Sequence, residues 1–200
     1  MKPFWSLMTK KDAILEAANL LFARKGFKDT SMAEVSKLTG AAEGTIFYHF
    51  KTKEGIFLSI LEKVKEDITA EFTAYRQGRE FRNGLEMMEG AIAFYLHQVS
   101  RMEDRFLILY RHYPYELART NPRCRDNLIA IYECLLDIFE EAILTGQKDG
   151  SIRPGASRKT AMLIFAMLDG LVRLKIYNLY DADSLYKELL TVCQRILKNP

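Results

Sequence analysis

Apolar residues recur along the chain at spacings of three and four, β-branched alternation is nearly absent, and Pro and Gly number only 5 and 11 among 200 residues. That periodicity puts one apolar stripe on each of a succession of helices and predicts an all-α fold. The first helix is predicted over Lys10 to Lys25, with Ile14, Leu15, Ala18, Leu21 and Phe22 on one face. Thr9, with Asp12 three places later, forms a capping-box arrangement at its start. Gly26 supplies a left-handed stop against which Phe27 folds back. A second start follows at Ser31-Met32-Ala33-Glu34, and Thr39-Gly40 ends that helix after barely two turns. A third short segment runs from Gly44 to Phe50. Thr52 then caps a long amphipathic helix whose buried side is Ile56, Phe57, Ile60, Leu61, Val64 and Ile68.

Beyond residue 78, breaks are expected around Gly78 to Asn83, Ser100 to Asp104, Thr120 to Arg123, Gly146 to Ser157 and Asp181 to Ser184, with five helical segments between them. Four helices before residue 78 and five after it make about nine in all. They predict a three-helix amino-terminal head over residues 1–53 and a larger helical bundle over residues 54–200.

Composition agrees with a globular chain: 48% of residues are hydrophobic and 28% charged, which excludes disordered and collagen-like classes. No apolar run approaches the ~20 residues that span a bilayer. The opening Met1 to Met8 is too short for the apolar part of a signal peptide, so a cytoplasmic location with no membrane partner is expected. Three cysteines, Cys124, Cys134 and Cys193, are widely spaced, which argues against a disulfide framework or zinc site and suits buried thiols. The formal net charge of +3 is unevenly spread. Residues 1–53 hold nine Lys/Arg against five Asp/Glu, and residues 54–200 hold twenty against twenty-one. Positive charge at the amino end hints at a polyanionic partner.

Two short helices joined by a Gly turn, in a basic region and buttressed by a longer helix, are the ingredients of a helix-turn-helix. The second short helix must project its first residues into the major groove while the first braces it. A plain helical corner has the same outline, so the arrangement alone leaves both open. The residues add more. Lys11, Ile14-Leu15, Ala17-Ala18, Leu21-Phe22 and Gly26-Phe27, then Thr30-Ser31, Gly40, Gly44-Thr45-Ile46-Phe47-Tyr48-His49-Phe50 and Lys53-Glu54, closely resemble the DNA-binding head of the tetracycline-repressor (TetR) family. The resemblance covers about residues 9–58; the other 140 or so match only in size and helical character.

That resemblance implies a homodimer, a recognition helix reading a double-stranded DNA operator, and an effector pocket in the carboxy-terminal domain. No cofactor is expected, and three histidines at wide spacing argue against a metal centre. By position, Gly44 and Thr45 open the recognition helix, where a missing side chain permits close approach and the Thr hydroxyl and methyl meet a phosphate or base edge. Tyr48 and His49 lie along the groove wall. Lys53 combines its charge with helix amides to hold a phosphate, and Thr30 and Ser31 do likewise from the other side. Three positions depart from the family: Ala42 stands where a capping Ser is frequent, Glu43 where a basic or amide residue is frequent, and Phe47 where Tyr is usual.

Aromatic residues concentrate after residue 90, a lining suited to a small apolar or aromatic effector. The expected pocket residues are Tyr95, Tyr110, His112, Tyr113, Phe165 and Asp169, with His112 also readable as a surface or capping residue. The segments from about Arg125 to Thr145 and Arg158 to Tyr180 resemble in position the family's two dimerisation helices. Leu135, Phe139, Leu168 and Val172 are the expected interface residues, although burial inside one subunit would give the same stripe. The function expected is a DNA-binding transcriptional regulator, a repressor released from its operator by the effector. The rivals are a helical adaptor without DNA binding and a helical enzyme. No nucleophile elbow, phosphate loop, dinucleotide fingerprint or His-Glu-x-x-His pattern supports catalysis.

Overall fold

The computed structural model describes residues 8–101 and 103–198, so the opening residues before Met8 lie outside it. Ten helices follow in order: α1 (Lys10–Lys25), α2 (Met32–Thr39), α3 (Glu43–Phe50), α4 (Lys53–Gln77), α5 (Gly84–Arg101), α6 (Glu103–Tyr110), α7 (Tyr113–Ala118), α8 (Pro122–Asp149), α9 (Ser157–Ile176) and α10 (Tyr186–Leu197). A 3-10 turn at Ala182–Leu185 precedes the last, and the described residues contain no strand. Among the described residues no helix is long and apolar enough to cross a membrane.

Helices α1, α2 and α4 start where capping chemistry predicts. Thr9 accepts the Asp12 N–H, Ser31 and Glu34 close a full capping box, and Thr52 accepts the Gly55 N–H at 2.9 Å. Gly26 ends α1 at φ 98, ψ 157, a positive φ with extended ψ in place of the expected left-handed helical geometry. One helix was not anticipated. The single segment expected over about 104–120 is two, because Pro114 in the first turn of α7 has no N–H to continue the α6 ladder.

By their contacts the described residues form two compact units, one within Met1–Glu66 and Met102–Ile131, the other within Asp67–Arg101 and Tyr132–Pro200. The boundary expected after residue 53 falls inside the first unit. In that unit Ile14, Ala18 and Phe22 of α1, Val35 of α2, Ile46 of α3 and Phe57 of α4 make the buried centre. Helix α6 lies along α1: Arg105 pairs with Glu16, and Arg24 with Asp104 at 3.2 Å. The Arg111 guanidinium donates to the Ala23 carbonyl through Nε at 2.7 Å and to the Arg24 carbonyl at 3.0 Å.

In the second unit, α5, α8 and α9 bury Met88, Ile92, Tyr95, Phe139, Ile164, Phe165 and Leu168. Arg158 of α9 pairs with Glu133, Asp137 and Glu140 of α8. Helix α8 continues through Gly146, where a loop was expected, because this glycine serves packing. A Cβ at Gly84 would stand 2.0 Å from the Gly146 nitrogen, and one at Gly146 would stand 2.5 Å from the Ile152 side chain. Gly84→Ala is therefore expected to cost about 1–3 kcal/mol through overpacking. Gly155→Ala, whose Cβ meets open space, should stay within about 0.5 kcal/mol of the parent. Urea unfolding of both variants checks this, and equal midpoints would contradict the close approach.

Candidate nucleic-acid interface

Helices α2 and α3 are set by short-range chemistry. Glu34 accepts the Ser31 N–H at 2.8 Å and the Lys25 ammonium. The Lys25 hydrogen bond first, and those from Ser31 after it, hold the Glu34 carboxyl down at about 2. Gly40 then takes the left-handed conformation at φ 72, ψ 5, and Thr39 Oγ1 donates to the Val35 carbonyl while accepting the Ala41 N–H. This closes the turn in three residues. Ala42 stands at the N-cap of α3 and makes no side-chain cap bond; the Thr45 N–H donates to the Ala42 carbonyl at 2.8 Å, which leaves the Glu43 and Gly44 amides for an acceptor outside the helix.

Ile46 and Phe50 anchor one side of α3 in the head, and Gly44, Phe47, Tyr48 and His49 occupy the exposed side. Tyr48 is 74% exposed, an extent that folding alone does not reward. Nothing lies within 4 Å of the place a Gly44 Cβ would take, so a backbone or base edge can approach there unhindered. Thr45 is half-buried beside it, and Glu43 is exposed. Lys51, the C-cap of α3 at φ 63, holds its ammonium 5.5 Å from the Tyr48 ring centroid. Lys51 is absent from the residues expected from the sequence; its signal there is a cation one helical turn after Phe47 and Tyr48.

Two of the residues expected to hold phosphate are engaged otherwise. Thr30 is buried and its hydroxyl donates to the Gly26 carbonyl at 2.9 Å, so it closes the α1–α2 turn rather than presenting a donor. Lys53 lies with its ammonium 4.4 Å from the Phe27 ring centroid and donates to the Lys28 carbonyl at 3.4 Å. Desolvation lowers its pKa in this position. Ser31 is exposed, with its hydroxyl shared with Glu34 at 3.1 Å.

The residues expected to line one ligand pocket divide between the two units. Tyr95, Phe165 and Asp169 come together in the second: the Tyr95 hydroxyl donates to Asp169 at 3.0 Å, and the Tyr95 and Phe165 rings meet edge to face at 5.6 Å. Tyr110, His112 and Tyr113 belong to the first unit. Tyr113 stacks on Phe27 at 3.8 Å, and burial pushes its hydroxyl up to about 12. Tyr110 is buried there, and His112 is exposed at the α7 N-cap without a side-chain cap bond. The interface residues are corrected as well. Leu135, Phe139, Leu168 and Val172 are at most 2% exposed within one subunit, so their stripe is the subunit's own core.

The pattern of the family described as bacterial regulatory proteins, tetR family, matches residues 14–60. Over 54 residues the chain is 46% identical to the HTH-type transcriptional regulator QacR of Staphylococcus aureus, a match covering 27% of this chain and 29% of QacR. Over 188 residues it is 26% identical to the fatty acid metabolism regulator protein of Bacillus subtilis, covering 88% of this chain and 90% of that protein. The fold is similar, with a TM-score of 0.81 and 21% identity, to a protein of Saccharomonospora viridis described as a transcriptional regulator in complex with choline. That likeness covers 95% of this chain and 98% of the other.

Substitutions at Thr45 and Lys51 test whether α3 reads base edges and whether its end holds a phosphate. Thr45→Ala is expected to cost about 1–3 kcal/mol more on a cognate site than on random DNA. Lys51→Ala should weaken both alike and reduce the slope of log affinity against log salt by about 0.9. Anisotropy titrations at several salt concentrations measure both. Equal losses on the two DNAs for Thr45→Ala would assign it to helix packing instead.

Proposed function

Because residues 14–60 match the pattern of the tetR family of bacterial regulatory proteins, we propose that this chain belongs to that family and is a homodimeric repressor that leaves its operator when an effector binds. It acts in the cytoplasm as a regulator rather than a catalyst. The observation that carries the reading is the α2–Gly40–α3 corner, with Gly44, Tyr48 and His49 exposed on the side opposite the buried Ile46 and Phe50. A helix held this way can lay its first residues on base edges while its flank meets phosphates.

Two heads must reach successive major grooves, about 34–36 Å apart, which calls for a dimer. The face that suits it is the outward side of α9, where Met162, Leu163, Ala166 and Gly170 are exposed at helical spacing. Leu163 is 64% exposed, and Leu144 of α8 is a second large apolar residue left to solvent. The effector occupies the second unit, in the aromatic interior around Tyr95 and Phe165. It releases DNA by favouring a conformation whose heads no longer match the two half-sites.

Light scattering and gel shifts with DNA from upstream of the chain's own gene test this reading. The full chain should be a dimer at micromolar concentration and prefer one upstream fragment to random DNA. Leu163→Asp should give a folded monomer that loses that preference. Monomer alone, with and without DNA, or equal binding to every fragment would overturn it.

A further inference from the structure

The corner between α7 and α8 is pinned at both ends to the start of α4, and it carries a charge that packing does not use. On the α7 side, Glu116 pairs with Lys28 at 3.1 Å, and the Lys28 carbonyl accepts the Lys53 ammonium at 3.4 Å. On the α8 side, Asn121 Nδ2 donates to the Glu54 carboxylate at 2.6 Å, while Asn121 Oδ1 accepts the Cys124 N–H at 3.1 Å and caps α8. Lys53 and Glu54 are the first two residues of α4, and only Lys51 and Thr52 separate that helix from the end of α3 at Phe50.

Arg119 and Thr120 stand between the two pins, and both are exposed. The Thr120 hydroxyl donates to the Leu117 carbonyl at 3.3 Å. Arg119, the C-cap of α7, follows Glu116 by three residues and so shares the side of α7 that meets Lys28. Glu116 is already balanced by Lys28, and Glu54 is taken by a neutral amide. No carboxylate pairs with Arg119 among the described residues, so its guanidinium is left to solvent beside the start of α4. A duplex whose major groove takes α3 must carry its backbone past the residues that end α3 and open α4. A planar guanidinium fork matches the oxygens of a phosphate there.

We propose that Arg119 binds a DNA phosphate, so that the α7–α8 corner makes a backbone contact outside the helix-turn-helix and outside the matched residues 14–60. The inference rests on the reading of α3 as the helix that faces the groove. Its contact fixes the protein's position on the duplex and carries no base information. Glu116 opposes it, because that carboxylate engages Lys28 and repels the same phosphate.

Anisotropy titrations of the full chain on a random-sequence duplex, at several salt concentrations, test this with Arg119→Ala, Arg119→Lys and Glu116→Gln. Arg119→Ala should weaken binding about two- to fivefold per subunit, the range of an exposed ion pair. It should also reduce the slope of log affinity against log salt by about 0.9 per subunit. Arg119→Lys should keep the slope, since the charge remains. Glu116→Gln should tighten binding, a gain that damaged folding does not imitate. Charges act over about 10 Å at 0.1 M salt, so a corner remote from the duplex would leave all three variants at the parent's affinity. That result overturns the proposal and, with the parent still bound to DNA, leaves the reading of α3 standing. A parent that binds no duplex even at low salt overturns both. A lower thermal midpoint for Arg119→Ala with an unchanged salt slope assigns the side chain to the end of α7 and overturns the phosphate contact alone.

Discussion

The arrangement of the head depends on how α1 is closed at its carboxy-terminal end. A helix leaves its last carbonyls without partners and its negative dipole end exposed. Here the Arg111 guanidinium, at the end of α6, takes the carbonyls of Ala23 and Arg24. A charged donor at that place satisfies the orphans and meets the dipole with the right sign. The closure fixes where the chain leaves α1, and Phe27 can then stack on Tyr113 and fill the space beside Phe22 and Phe57. Lys28 adds an exposed pair to Glu116 at 3.1 Å, worth little by itself. Helices α6 and α7 are therefore part of the head's structure.

The same cluster bears on the start of α4, beside the exposed side of α3. Phe27 packs inward while its ring face lies under the Lys53 ammonium. Lys53 opens α4, one residue beyond the loop that ends α3. A phosphate contact at Lys53 would cost it the Phe27 face and the Lys28 carbonyl. Lys51 and Tyr48 have less to surrender, because both stand in solvent at the end of α3.

Much of the head was legible because its signals are local. Ser31 with Glu34, Gly40 after Thr39, and Thr52 before α4 each act within four residues, and the sequence displays such pairs directly. Neighbours across space were less legible. The stripe of Leu135, Phe139, Leu168 and Val172 correctly announced burial, but periodicity does not say whether the covering surface belongs to the same subunit. Tyr110, His112 and Tyr113 were grouped with Tyr95 by aromatic content, whereas the packing of α6 on α1 and the stack of Tyr113 on Phe27 place them in the first unit. Thr30 occupied the expected position, and only its hydrogen bond to Gly26 shows that its hydroxyl is spent.

Amide hydrogen exchange on the full chain, comparing the parent with Arg111→Met, tests most directly that α6 closes the head. Methionine keeps much of the side chain's length and removes the donors. Loss of charged bonds worth about 1.5–3 kcal/mol predicts a ten- to hundredfold fall in protection over the last turn of α1 and through α7, with α9 unchanged. Unchanged protection in the last turn of α1 would contradict the claim that Arg111 holds the head together.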